Sequence, residues 1–282
     1  MLLNLFYEMP YLDFNNTKIY YIDSGDQNAL VIVFIHGLSS SSKIFSRQIE
    51  YFNKTHRCIA FDLVGHGKSY RPSPDVVDHK VAGQTAILEA LLEHIQITSA
   101  TLVGWSLGGL IVTEYAHRHP KKVEALIMIG TSARFIMTDD DASYPSNPVS
   151  VIDWWTNSFK ESPHTSGAAF VFSQYPEASP ENYPEYVAEA LQDTLSVTPE
   201  AFLGCVRGFE DHRAYYPQLK CRVLFIHGAD DGPVSVETSK WGYGVIPGEK
   251  KLLIYEGIGH VPHVSNAIQV NRDIAAFLEH QN

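Results

Sequence analysis

The stretch "LVGWSLGGLI" sets a serine between glycines, Gly104, Ser106 and Gly108 in the spacing G-x-S-x-G. Residues without side chains let a backbone bend sharply while the central hydroxyl projects, which is what a serine nucleophile needs. A hydroxyl attacks poorly until a base takes its proton, so Ser106 calls for a histidine that is itself oriented by a carboxylate. Both follow downstream. Asp230 and Asp231 come after "CRVLFIHG", and His260 comes after "KLLIYEGIG". Spacing alone does not choose between the two aspartates. Among the thirteen histidines, His36 and His227 close apolar runs just before a glycine and read as turn supports. His66 and His263 are the other competitors, and His263 reads as a lining or surface residue three positions beyond His260.

Elements that could position these groups alternate along the chain. Strand candidates are 18–23, 30–36, 56–62, 100–105, 123–130, 221–227 and 251–256, most of them apolar on both faces as buried parallel strands are. Between them lie amphipathic stretches. Leu88, Leu91, Leu92 and Ile95 recur at helical spacing on one face, and after Asn266 the expected buried side is Ile268, Ile274, Ala275 and Leu278. Ser106 follows a strand and opens the small-residue helix "LGGLIVTEYAHRHP"; the aspartates and His260 follow two later strands. All then meet at one edge of a sheet. The alternation breaks once, so the expected organisation is a core of 1–132 and 214–282 with an inserted cap at 133–213.

Composition narrows the partners. The chain has 282 residues, 45% hydrophobic and 19% charged, with a net charge of -11. With no Lys/Arg cluster, this acidity argues against nucleic acid and anionic membrane surfaces. No apolar run approaches the ~20 residues of a membrane span, and the first ten residues lack the pattern of a secretory leader, so the expected location is cytoplasmic. Cys58, Cys205 and Cys221 are scattered, without disulfide or zinc-ligand spacing, and read as buried thiols. The expected partner is a small, largely apolar molecule.

Five segments carry a resemblance: "FIHGLSSSS" (34–42), "FDLVGHGKS" (61–69), "GWSLGG" (104–109), "HGADDGPV" (227–234) and "GIGHVPH" (257–263). Together they resemble the α/β-hydrolase superfamily, in its capped carboxylesterase and lactonase branch, over nearly the whole chain outside 133–213. The resemblance implies an α/β fold with a mostly parallel, doubly wound sheet flanked by helices, and a helical cap. It implies Ser106 as nucleophile, His260 as base and, counting three residues past Gly228, Asp231 as acid. The implied oxyanion hole is the backbone N–H of Leu38 and Leu107. Where many relatives carry Glu-x-Pro after the histidine, this chain has Val264, Ser265 and Asn266.

The implied chemistry is acyl transfer from a carboxylic ester through an acyl-enzyme, with no cofactor and no metal. Aromatic candidates for the substrate pocket are Trp105, Phe135, Trp154 and Trp155, with Phe159, Phe170 and Phe172 as further cap aromatics. Some of these would be cap core. A methyl-ester hydrolase for pimeloyl groups on acyl carrier protein is similar in "GWSLGG" and in the missing Glu-x-Pro. Against it, residues 133–213 hold thirteen acidic and only four basic side chains, and a cap of net -9 should repel an acidic carrier. Its only cations for docking are Arg134, Lys160, Arg207 and Arg213. Enol-lactonases, carbon–carbon bond hydrolases and slow-turnover receptors of the same fold are further alternatives. Dehalogenases and epoxide hydrolases place Asp where Ser106 stands, and serine excludes them.

Overall fold

The structure, a computed structural model, describes residues 10–73, 76–135 and 156–279. Eight strands form one sheet in the order β1-β2-β4-β3-β5-β6-β7-β8. They are β1 (Tyr11–Phe14), β2 (Thr17–Ser24), β3 (Val31–Ile35), β4 (Arg57–Phe61), β5 (Ala100–Trp105), β6 (Val123–Ile129), β7 (Arg222–Gly228) and β8 (Lys250–Tyr255). β1 and β2 pair antiparallel, β2 joins β4 antiparallel, and every pair from β4 through β8 is parallel. All seven strands expected from the sequence are present, with ends shifted by a residue or two. The four-residue β1 is additional.

The double apolar character of the strands has its reason here. In β3, Val33 and Ile35 enter one core cluster while Ile32 and Phe34 enter the other, so both sheet faces are buried under helices. On the first face α2 (Val81–His94) buries Leu88, Leu91 and Leu92 beside α3 (Leu107–Arg118). Burying each of those leucines contributes about 1.5–3 kcal/mol. The second face holds α1 (Ser46–Phe52) and the C-terminal helix of Ala267–Glu279. That helix corrects one expectation. Ile268 is 71% exposed; the buried stripe is Val270, Asn271, Ile274 and Phe277, with Ala275 and Leu278 half-buried against the same core. Its phase is set by a polar anchor: Gln48 Nε2 donates to Asn271 Oδ1 at 2.9 Å, and Asn271 Nδ2 donates to the Arg47 carbonyl at 3.1 Å.

Between β6 and β7 the chain leaves the sheet. Its described part carries α4 (Pro163–Gln174), α5 (Glu185–Ser196) and α6 (Pro199–Val206), with Phe159 stacked on Phe202 at a centroid separation of 3.7 Å. Cys58, Cys205 and Cys221 are all free and buried. No helix among the described residues is long and apolar enough to cross a membrane.

Candidate active site

Parallel strands end together, and every sequence-selected group sits where such an end meets a loop. β5 stops at Trp105 and α3 starts at Leu107, so Ser106 is the whole turn, at φ 53 and ψ -120. A non-glycine residue in that region costs on the order of 1–3 kcal/mol and persists only where its surroundings hold it. They do so through the backbone. Ser106 N–H donates to the Ile129 carbonyl at 3.0 Å, and the Ser106 carbonyl accepts from Thr131 Oγ1 at 2.7 Å and Gly109 N–H at 2.9 Å. Gly108 makes the turn possible, because a Cβ there would lie 2.1 Å from the Ile35 carbonyl oxygen. The hydroxyl thus stands at the amino end of α3, where unpaired amides and the helix dipole favour negative charge.

His260 and Asp231 meet beside it. His260 Nδ1 lies 2.7 Å from Asp231 Oδ2, and both side chains are essentially sealed from solvent. Asp231 Oδ1 accepts from Val234 N–H at 2.7 Å. Burial alone would raise the Asp231 pKa, but the charge of His260 and hydrogen bonds from His227 and His260 outweigh it and hold the carboxyl below its ordinary value. Gly130, at φ 49, borders the pair, and a Cβ there would come within 3.2 Å of His260 Nδ1 and 3.3 Å of Asp231 Oδ2. Asp230 is exposed, and its N–H donates to the Ile258 carbonyl. The structure therefore brings Asp231, not Asp230, to the histidine.

His227 does more than support a turn. Its Nε2 lies 3.0 Å from both Asp231 Oδ2 and the Val234 carbonyl, and its Nδ1 lies 2.7 Å from Ser239 Oγ. Two acceptors at Nε2 require the N–H there, so the Ser239 hydroxyl donates to Nδ1. His227 thereby becomes a second donor to Asp231. The His-x-x-x-Asp spacing, 227 to 231, is the sequence signal that marks it.

Ser106 and His260 face a pocket whose other walls are Leu38, Leu107, Phe135, Phe170, Val206, Phe209, Pro233 and Val234. Apart from the serine and the histidine, every wall residue is apolar. The loop bearing Leu38 is braced by His36, whose Nε2 accepts from Leu63 N–H at 3.0 Å, which leaves its Nδ1–H to donate to the Gly37 carbonyl at 2.7 Å. Burial pushes the His36 pKa down to about 4, so the ring stays neutral. His66 is also buried, with Nδ1 3.1 Å from the Val64 carbonyl. A larger cavity of about 520 Å³ lies at the opposite, amino-terminal ends of the strands, beside Leu30, Phe52 and Leu278, away from Ser106.

Several expected pocket residues fall elsewhere. Trp105 does not line the pocket. It is buried beside His260, with Nε1 donating to the His260 carbonyl at 2.9 Å, because a residue just before the turn still alternates into the sheet face. His263 is neither lining nor surface, but fully buried between Phe45 and Trp105. Phe135 and Phe170 do line the pocket, whereas Phe159 packs on Phe202 and Phe172 on Tyr183. Trp154 and Trp155 lie outside the described residues. Val206 and Phe209 are wall residues that no periodicity or motif announced.

Comparison with known proteins follows the same lines. The chain is 28% identical over 259 residues to the pimeloyl-[acyl-carrier protein] methyl ester esterase of Aromatoleum aromaticum, covering 88% of this chain and 96% of that one. It is 26% identical over 273 residues to the biotin biosynthesis bifunctional protein BioHC of Teredinibacter turnerae, covering 90% of this chain but only 45% of that longer protein. An esterase from Exiguobacterium antarcticum superposes with a TM-score of 0.86 at 20% identity, covering 95% of this chain and 98% of that one, and so shares the fold. The alpha/beta hydrolase fold model matches residues 31–267, and this chain belongs to that family.

Proposed function

We propose that the protein is a serine hydrolase that cleaves carboxylic esters of small to medium, apolar acyl groups through an acyl-enzyme. The observation that carries this reading is the buried 2.7 Å contact between Asp231 and His260 beside the pocket that His260 and the strained Ser106 both line. In the reaction His260 takes the Ser106 proton as Oγ attacks the ester carbonyl. The Leu38 and Leu107 amides receive the developing oxyanion, and Asp231 stabilises the imidazolium. His260 then protonates the leaving alcohol, and water, activated by the same ring, releases the acid. Residues 133–213 act as a cap, since Phe135, Phe170, Val206 and Phe209 all come from that segment. A wall without a cation suits a neutral acyl chain and disfavours one that ends in a carboxylate. The test is hydrolysis of p-nitrophenyl butyrate. Ser106→Ala should lower kcat on the order of 10³-fold or more with the fold intact. Retention of a tenth of the activity in pure protein overturns the assignment.

A second reading, ester cleavage on a carrier-bound pimeloyl group, is favoured by the name of the Aromatoleum aromaticum relative. The charge of the cap weighs against it. Two of its four cations already face acid: Arg134 Nε is 3.8 Å from Asp211 with its side chain only 9% exposed, and Arg213 grips the same carboxylate at 2.7 Å. Lys160 and Arg207 remain as solvent-exposed candidates. If a carrier docks on them, its kcat/KM should collapse at high salt and in a Lys160→Glu, Arg207→Glu variant, while p-nitrophenyl butyrate responds to neither. We expect weak carrier activity. A strong, salt-sensitive carrier rate abolished by the reversals promotes the second reading.

A further inference from the structure

Away from the catalytic pocket, three ligand-type side chains converge on the far part of α3. Glu114 lies eight residues beyond Ser106 on that helix, and Glu210 and His212 lie on the stretch that returns the chain toward β7. His212 Nε2 stands 3.7 Å from Glu114 Oε2 and 3.9 Å from Glu210 Oε2, and the three donor atoms all lie within 4.8 Å of one another. The His212 side chain is 1% exposed and that of Glu114 4%. Among the described residues, Glu114 Oε2 and His212 Nε2 have no hydrogen-bond partner by distance and angle, while the Leu110 carbonyl is a backbone acceptor beside the same ring. Buried polar atoms left in that state are costly, and their convergence on one point asks for an occupant.

We propose that Glu114, Glu210 and His212 hold a divalent transition-metal ion, with Zn2+ the ion that best suits one imidazole and two carboxylates. Separations of 3.7 and 3.9 Å are too long for direct hydrogen bonds. A water bridging two such atoms at ordinary hydrogen-bond lengths would hold them about 4.5 Å apart. A zinc ion with bonds of about 2.1 Å and tetrahedral angles holds its ligands about 3.4 Å apart. The two gaps from His212 lie nearer the second figure, and the Glu114–Glu210 separation is within 4.8 Å. Calcium and magnesium prefer oxygen ligands alone, so the imidazole selects a transition metal. Arg118 occupies Glu114 Oε1, which fixes the carboxylate and leaves Oε2 for the ion. Glu210 is 44% exposed and gives the ion a way in and room for a coordinated water.

Serine chemistry has no use for this ion, and its role here is structural. Val206 and Phe209, which wall the catalytic pocket, immediately precede Glu210, while Glu114 belongs to the helix that begins beside the nucleophile. The ion therefore pins one pocket wall to that helix.

The experiment uses the full chain, stripped by a chelator and titrated with ZnCl2 in a calorimeter, with Co2+ absorption as a second readout of the ligand set. One ion per chain should bind with a Kd on the order of 10 µM or tighter. Zn2+ should raise the melting temperature of the wild type. His212→Asn and Glu210→Gln should each weaken binding at least about tenfold and remove that rise. Glu210 is the more exposed ligand, so Glu210→Gln keeps the test readable if His212→Asn fails to fold. The proposal is overturned if the wild type binds no ion at about 100 µM ZnCl2. It is equally overturned if stoichiometric binding survives Glu210→Gln with its affinity unchanged, which would place the ion on other histidines.

Discussion

Replacing Asp231 by asparagine tests the proposed triad most sharply, because the substitution keeps shape and removes only charge and one acceptor. The carboxylate accepts on both sides: Oδ1 from Val234 N–H at 2.7 Å, and Oδ2 from His260 at 2.7 Å and His227 at 3.0 Å. An asparagine can satisfy only one side. With its amide nitrogen at the Oδ1 position, it meets the Val234 N–H donor to donor. With the nitrogen at the Oδ2 position, it meets the His227 donor and forces His260 into the tautomer whose proton faces Ser106, and that ring cannot act as base. Charge adds to this. An imidazolium and a carboxylate about 4 Å apart attract by about 4 kcal/mol at an effective dielectric constant of 20, which is roughly a thousandfold in rate.

We therefore expect Asp231→Asn to lower kcat for p-nitrophenyl butyrate on the order of 10³- to 10⁴-fold, with circular dichroism unchanged. Asp230→Asn, at an exposed position, should stay within about twofold of wild type. An Asp231→Asn enzyme retaining a tenth of wild-type kcat, or a larger loss at Asp230, refutes the reasoning about which carboxylate orients the base.

Two other outcomes follow from the same geometry. His227→Ala deletes a charge-assisted donor to Asp231 and should cost about 10- to 100-fold in kcat, with His227→Gln recovering part of it; equal rates in all three enzymes would mean that His227 only packs. His36, His66 and His263 are held neutral by burial, at about 4, 3 and 3. The unfolded chain takes up protons near pH 6.5 where the folded chain does not. Stability should therefore be fully present above that pH and fall steeply from about 6.5 toward 4, read as a drop in melting temperature. A flat melting curve across that window is the contrary result.

Much of the fold was legible because parallel strands announce themselves: residues apolar on both faces, bounded by glycine, allow few other readings. β1 escaped because four residues give no period, although Asn15 and Asn16, both at positive φ (48 and 62), are the residues a tight two-residue hairpin turn selects. The C-terminal helix was recognised, with Ile274, Ala275 and Leu278 on the core side but Ile268 misplaced. Hydrophobicity alone cannot see that Asn271 is turned inward by Gln48, and that polar contact, made between residues more than two hundred positions apart, puts Ile268 in water.

The candidate site divides in the same way. The places of Ser106 and His260 were readable because both follow the ends of apolar strands, which sequence locates. The choice of acid was open on spacing, since Asp230 and Asp231 are neighbours and only the course of the loop after β7 decides which one turns inward. The pocket was the least readable part. Its wall takes Phe135 from the stretch after β6, Phe170 from α4, Val206 from the end of α6 and Phe209 from the return to β7, with no shared period. Trp105 and Gln174 show what joins these parts to the chemistry. The His260 carbonyl accepts from Trp105 Nε1 at 2.9 Å, and the His260 N–H donates to the Gln174 carbonyl at 2.9 Å. The backbone of His260 is thus held from one side by the strand that leads into Ser106 and from the other by the segment that walls the pocket. A shift of α4 would therefore carry His260 along with the pocket wall.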